Sequence, residues 1–261
     1  MNGAPDVWAA IEHAYAHPHL EAQAQERWAA QAVHLFKPHT VQLSASSAGS
    51  CSLELWAKLN HKMDLPEDRM SQLLKMDGGT SYGARIAALF AVGYEDLFEG
   101  VTVEVEVVGE HDGIPGHVEM VIDELDPQHD ENPRWVVEVK TSFWGGAVTE
   151  SGPFKHSKEF HVLQAAKEAL IVNAPGFSVL NVYPAATKNK NPTPFIQDDF
   201  ETAEWATAVQ TEYRRLEAAL GPVAPIADPP EAWRCNFCRF SACDKNRNPL
   251  KPQPVPAAFA S

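Results

Sequence analysis

Apolar and polar positions change rhythm along this chain, and the changes outline its elements. Residues 6–34 are Ala-rich with helical spacing, interrupted at His17-Pro18-His19, which predicts two helices with a break. The small polar run Ser44-Ala-Ser-Ser-Ala-Gly-Ser50 reads as a helix start. Leu55, Trp56 and Leu59 then give residues 51–60 an amphipathic helix. A further helix is expected over 81–92, carried by Ile86, Leu89 and Phe90. The rhythm then becomes two. Val-Thr-Val-Glu-Val-Glu-Val-Val over 101–108 predicts a strand, and Ile114 to Leu125 a second. After a polar turn at 127–133, Trp-Val-Val-Glu-Val-Lys-Thr over 135–141 predicts a third, whose apolar run suits a central position covered on both faces.

Helical spacing returns from Ser157 to Asn173. Val162, Leu163, Ala166, Ala169 and Leu170 form one face, and His161, Gln164 and Glu168 share another. A fourth strand is expected over 178–183 and a long helix over 201–220, stopped by Gly221-Pro222. A Pro-rich linker at 222–230 leads to Cys235-x-x-Cys238-x-x-x-x-Cys243. The tail beyond is Pro- and Ala-rich and reads as disordered. The expected fold is therefore α/β. A helical region at 1–40 precedes one mixed domain over 41–245, and 246–261 forms the tail.

Composition narrows the classes. A chain of 261 residues with 44% hydrophobic content can build one large domain. Met1 to Leu20 lacks the basic start and apolar run of a signal peptide, and no stretch is apolar enough for a bilayer. A cytoplasmic protein is expected, in a bacterial cell or a phage-infected host. In that compartment four cysteines suggest metal or redox chemistry before disulfides. The formal charge of −14 argues against coating nucleic acid by bulk attraction. It leaves room for an acidic site that handles DNA through divalent cations and a local basic groove. Lys155, Lys158, Lys188, Lys190, Arg234, Arg239, Lys245, Arg247 and Lys251 are the candidates, each also an ordinary solvated charge.

Strand alternation puts Glu138 and Lys140 on one face, with Val137 and Val139 on the other. Glu119 lies one strand and one turn earlier, so a hairpin can bring the two carboxylates together. Two close carboxylates repel unless a proton or cation separates them, and a hard divalent cation prefers oxygen ligands. Glu-x-Lys on a strand is also a common cross-strand ion pair. His111, His117 and His161 read as surface or hydrogen-bonded histidines. Cys235, Cys238 and Cys243 can cup a metal from a tight loop, and Cys51 is the one thiol left to complete four. Four thiolates suit zinc or an iron–sulfur cluster. Paired Cys-x-x-Cys knuckles are the usual zinc layout, and one-plus-three is not.

Gly116-His-Val-Glu119, then Glu138-Val-Lys140-Thr-Ser, then Gln164 together resemble the PD-(D/E)XK nuclease superfamily, in its RecB-like branch. The four cysteines in this order resemble the iron–sulfur staple of RecB-like helicase–nucleases and CRISPR-associated exonucleases. The serine-rich approach to Cys51 strengthens that likeness, which spans about residues 41–245. It implies a restriction-endonuclease-like mixed sheet flanked by helices, with a C-terminal cluster segment. By this resemblance Glu119, Glu138 and the Val139 carbonyl would hold Mg²⁺ or Mn²⁺. Lys140 would be the catalytic lysine and Gln164 a site organiser. Cys51, Cys235, Cys238 and Cys243 would hold a 4Fe-4S cluster. The activity implied is metal-dependent DNA exonuclease, in recombination, repair or phage or CRISPR DNA processing. The partners implied are single-stranded or end-bearing DNA and a recombinase, a helicase or CRISPR adaptation proteins, with a homo-oligomer possible and no membrane.

Three departures stand out. Glu119 occupies a place that usually holds Asp, with Asp123 as the fallback ligand. Tyr82, after Gly79, stands where a helix His often adds a ligand. Glu168 stands where an aromatic usually follows the glutamine. No Gly-x-x-x-x-Gly-Lys-Ser/Thr stretch suggests a motor. Two rival readings are a catalytically inactive iron–sulfur DNA-binding or assembly module and a zinc-stabilised protein unrelated to nucleases.

Overall fold

The computed structural model describes residues 4–35, 42–63, 69–124, 134–141, 157–182, 195–229, 235, 238, 240 and 242–245. Asp6 caps the first helix, α1 (Val7–Ala16), its carboxylate accepting from the Ala9 amide at 2.9 Å. Val7, Ala10, Ile11 and Ala14 form its buried stripe. The helix ends at His17, and Pro18 opens α2 (Pro18–Leu35), where a missing amide hydrogen does least harm. The break therefore falls at the residues that predicted it.

A 3₁₀ turn (Ala45–Ser47) leads into α3 (Ser52–Leu59). The next helix, α4 (Arg69–Leu97), is longer than the 81–92 its apolar residues predicted. It runs through Gly78-Gly79, a pair that weakens helix propensity but does not break the element here. Helix α4 packs against α1 at Gly93, where an added Cβ would sit 2.0 Å from the Ala10 carbonyl oxygen. Only glycine allows that approach.

Among the described residues the strands are β1 (Val101–His111), β2 (Ile114–Glu124), β3 (Arg134–Thr141), β4 (Gly176–Val182) and β5 (Phe195–Glu201). Helix α5 (Glu159–Ile171) lies between β3 and β4, and α6 (Thr202–Glu217) follows β5. Spatial order follows chain order, β1-β2-β3-β4-β5. Only the β3–β4 pair is parallel, as a strand–helix–strand crossover through α5 requires. Strand β3 is central, as its apolar run predicted. The fold is thus a mixed α/β sheet flanked by helices, the architecture the family likeness implied.

Each face of the sheet has its own core. Val136, Phe177 and Val179 point to the side of α3, α5 and α6. Val137, Val139, Leu180 and Val182 point to the side of α1 and α4. Strand β5 was not predicted. Its Asp198-Asp199 pair is unfavourable for strands in general. At this edge, however, Asp199 accepts from Ser178 at 2.6 Å and Gln197 donates to the Pro5 carbonyl at 2.7 Å. Among the described residues, no helix is long and apolar enough to cross a membrane. The expected tail and the linker residues 230–234 lie outside the described residues.

Candidate functional site

The site forms where β2 and β3 separate. Their pairing ends at Met120↔Val137, one step before Glu119 and Glu138 would face each other. On the other side of β2, the β1 register passes over Glu106 and Glu119 without pairing them, and Glu106 has a φ of 60°. The facing of β2 changes there: Met120 and Ile122 belong to the α1/α4 core, yet Val118 lies in the α5 core. Strict alternation would put Val118 with Met120. The irregularity turns Glu119 into the gap, where its Oε2 accepts from the Val139 amide at 2.7 Å. A carboxylate takes the hydrogen that a neighbouring strand would have taken.

Glu138 and Lys140 lie on the α5 face, as alternation predicted. The Lys140 Nζ donates to Glu138 Oε1 and, at 2.9 Å, to Gln164 Oε1. The Gln164 Nε2 donates to Glu138 Oε1 at 2.9 Å and to Glu168 Oε1 at 2.8 Å. Glu138, Lys140, Gln164 and Glu168 thus form one connected group, and Glu119 enters from the other side of β3. The Glu138 side chain is 5% exposed and Lys140 22%, so the lysine reaches toward solvent while its partner does not.

Three carboxyl groups share one ammonium. Burial pushes the Glu119 carboxyl well above the ordinary carboxylate range, and the Glu138 charge adds to the rise. Glu168 is raised in the same way, by burial first and then by Glu138. Burial alone would depress Lys140, but the charges of Glu138 and Glu168 outweigh it and hold the lysine above its ordinary value. A divalent cation would relieve the repulsion among these carboxylates, and the donor set is all oxygen, so the residues fit a hard metal ion. Among the described residues, however, no group of three or more His, Cys, Asp or Glu side chains is already gathered tightly enough to hold one.

Two neighbours escaped the sequence reading. An added Cβ at Gly83 of α4 would come 3.2 Å from Glu119 Oε1, so a side chain there would press on that carboxyl. The other is Glu168, placed by the sequence on the face of Gln164 and noted as a departure from the family pattern, but given no role there. It is 1% exposed, and its Oε2 is buried with no hydrogen-bond partner. The i, i+4 spacing that put it beside Gln164 is the one along which the two side chains bond.

Other expectations resolve differently. Asp123 is not a spare ligand: it accepts from Arg134 at 2.7 Å, away from the group. Tyr82 is part of the wall, half-buried against the α1/α4 core. His111 anchors Lys167, whose Nζ donates to its carbonyl at 2.7 Å. His117 is exposed and faces Glu106 at 3.9 Å. His161 stacks edge-on with Phe160 at 4.3 Å. Of the basic candidates, Lys158 lies over the Phe160 ring and Lys245 donates to the Ala227 carbonyl at 2.6 Å. The other seven lie outside the described residues.

The cysteines meet elsewhere. Cys51, Cys235, Cys238 and Cys243 all line one cleft, with Leu53, Ala227, Pro229 and Phe240 among its walls. All four are free thiols. Burial pushes Cys51 and Cys238 up, and Cys51 and Cys243 lie close enough to add to the rise at Cys238. Four thiols on one cleft are the ligand type of a thiolate-bound metal centre, although among the described residues no three of them are gathered tightly enough to hold a metal ion. Cys51 is the N-cap residue of α3 but makes no side-chain cap bond. Asp228 supplies the cap from across the fold, accepting from the Ser52 amide and hydroxyl, both at 2.6 Å. Arg215 binds Asp228 at 2.6 Å and the Ser50 carbonyl at 2.7 Å. This clamp ties the start of α3, next to Cys51, to α6 and to Asp228.

No family model matches the chain. No curated protein sequence matches it either. Among solved structures, the crystal structure of SSO0001 is similar over 87% of this chain and 96% of its own, with 17% identity and a TM-score of 0.45. The alkaline exonuclease LHK-Exo from Laribacter hongkongensis is similar over 69% of this chain and 93% of its own, with 12% identity and a TM-score of 0.32.

Proposed function

We propose that the chain is a metal-dependent deoxyribonuclease of the RecB-like type, acting as an exonuclease with Mg²⁺ or Mn²⁺. One observation carries the reading: Glu119, Glu138, Lys140 and Gln164, from three separate elements, meet at the gap between β2 and β3. Glu119, Glu138 and the Val139 carbonyl are the groups that would hold the ion. When bound, the ion supplies charge neutralisation at the phosphoryl oxygens and lowers the pKa of a water. Lys140 keeps its proton beside the carboxylates and presents it to the charge that develops on the phosphate. Gln164 accepts from Lys140 and donates to Glu138, which holds both groups in a fixed relation.

The four cysteines would hold a 4Fe-4S cluster that ties α3 to the segment beyond α6. Linear DNA would be the substrate, and a recombinase, a helicase or CRISPR adaptation proteins the partners, in the cytoplasm. The test is degradation of end-labelled single- and double-stranded linear DNA by anaerobically purified protein. The expected result is cleavage that requires Mn²⁺ or Mg²⁺ and falls about 10²–10³-fold in Lys140→Ala. No cleavage by protein whose cysteine centre is loaded would overturn the enzyme reading in favour of a DNA-binding module.

A further inference from the structure

Resting on the nuclease reading, we propose that Glu168 is a positioning residue: its Oε1 fixes the Gln164 amide so that Oε1 of Gln164 faces Lys140 and Nε2 faces Glu138. A glutamine amide presents one accepting end and one donating end, and rotation by half a turn exchanges them. Here the accepting end meets an ammonium at 2.9 Å, and the donating end meets two carboxyl oxygens at 2.9 and 2.8 Å. Rotation would turn the amide oxygen toward both carboxyls and the amide hydrogens toward the ammonium. Glu138 alone disfavours that state, and the Glu168 oxygen that accepts from Nε2 adds to the preference. The spacing suits the task, because residues four apart on a helix share a face.

Stability does not explain a glutamate at this place. It is 1% exposed, it lies beside a second carboxyl, and its Oε2 has no hydrogen-bond partner. A buried polar atom in that state costs free energy that an apolar side chain of the same size would avoid. Its neighbour in sequence, Lys167, faces the β1–β2 turn instead, through the His111 carbonyl. Glu168 therefore trades stability for the orientation of the site, a pattern common where groups are pre-arranged for chemistry.

Glu168→Met removes the accepting oxygen and keeps the bulk, whereas Glu168→Gln keeps an accepting oxygen and removes the charge. Each is compared with wild type in three measurements: kcat and KM for Mn²⁺-dependent cleavage of linear DNA, Mn²⁺ affinity by calorimetry without DNA, and melting temperature. Glu168→Met is expected to lower kcat about tenfold and weaken Mn²⁺ binding several-fold, as loss of outer partners generally does. Its KM for DNA stays level and its melting temperature does not fall. Glu168→Gln recovers most of both losses. Gln164→Ala combined with Glu168→Met is no worse than Gln164→Ala alone, because Glu168 acts through the amide. Wild-type kcat and Mn²⁺ affinity in Glu168→Met would overturn the proposal. So would a Glu168→Gln as impaired as Glu168→Met, or losses that multiply in the double variant. Should wild type not cleave DNA, the nuclease reading fails, while the Mn²⁺ titrations still decide the role of Glu168.

Discussion

The acidic site and the cysteine cleft are two candidate metal centres built on opposite plans. The acidic group comes from residues 119–168, on regular elements, and its hydrogen bonds already hold it in shape. Its difficulty is charge, with three carboxyls against one ammonium. The cysteine cleft joins Cys51 to residues 235–243, across almost the whole core. Burial pushes two of its thiols, Cys51 and Cys238, toward the neutral form, and apart from Glu54 its other walls are apolar. Its difficulty is the entropy of bringing distant parts of the chain together. The fold makes the first site, whereas a bound centre at the second would help make the fold. Metal loss should therefore cost more stability at the cysteine cleft than at the acidic site.

The largest effect that would break this contrast is expected from Cys238→Ser. If the cleft carries a cluster, the variant loses its visible absorbance and the cross-link over the core. By loop-closure reasoning that amounts to about 4–5 kcal/mol, or roughly 10–20 °C in melting temperature. Absorbance spectra and thermal melts of anaerobically prepared protein measure both. Unchanged colour and melting temperature would remove the cleft's structural role, and the two sites would no longer differ in kind.

How much of each site the sequence discloses follows from the same difference. Glu138, Lys140 and Gln164 were legible because period-two and period-3.6 patterns state which side chains share a face. In the structure hydrogen bonds join the three side chains. The irregularity at Glu106 and Glu119 was not legible, since a left-handed φ at a glutamate leaves no mark in a run of alternating valines. Strand β5 was missed because its acidic pair gains partners only from tertiary contacts. The clamp of Arg215, Asp228 and Ser52 was missed for a related reason: its members are far apart in sequence and none belongs to a motif. Glu168 was visible as a departure, but its meaning needed the geometry of Gln164.

A second effect sharpens the contrast at the acidic site. In the folded protein without a cation, Glu119 and Glu168 titrate above their ordinary value of 4.5. Their contribution to stability is fully present below that value and is lost as pH rises through their folded-state range. The cation-free protein should therefore melt lower at pH 8 than at pH 5, and Glu119→Gln should flatten the slope. Mn²⁺ should raise the melting temperature at pH 8. At a hundredfold excess over Kd the gain is about 2.7 kcal/mol, or roughly 5–10 °C, and at pH 5 it shrinks because protons compete. A Mn²⁺ stabilisation equally large at both pH values would mean that these carboxyls are not the ligands.

The smallest effect concerns the clamp that braces the cysteine cleft. Burial alone would raise the Asp228 carboxyl, but hydrogen bonds from Ser52 and Arg215 outweigh it and hold the group below its ordinary value of 3.8. The sign is opposite to that at Glu119. The stabilisation is present above 3.8 and is lost as pH falls through the lower folded-state value. Asp228 is 33% exposed, so solvent screening limits the contribution, and loss of a helix cap sets it at about 1 kcal/mol. Asp228→Ala should lower stability by that amount at pH 7 and by progressively less as pH falls below 3.8, measured by urea denaturation. The same variant should also load its cysteine centre more slowly, because the start of α3 next to Cys51 is then no longer braced. Normal loading would leave the clamp as a brace for α3 alone, and the cleft's thiols would have to be brought together by whatever centre they bind.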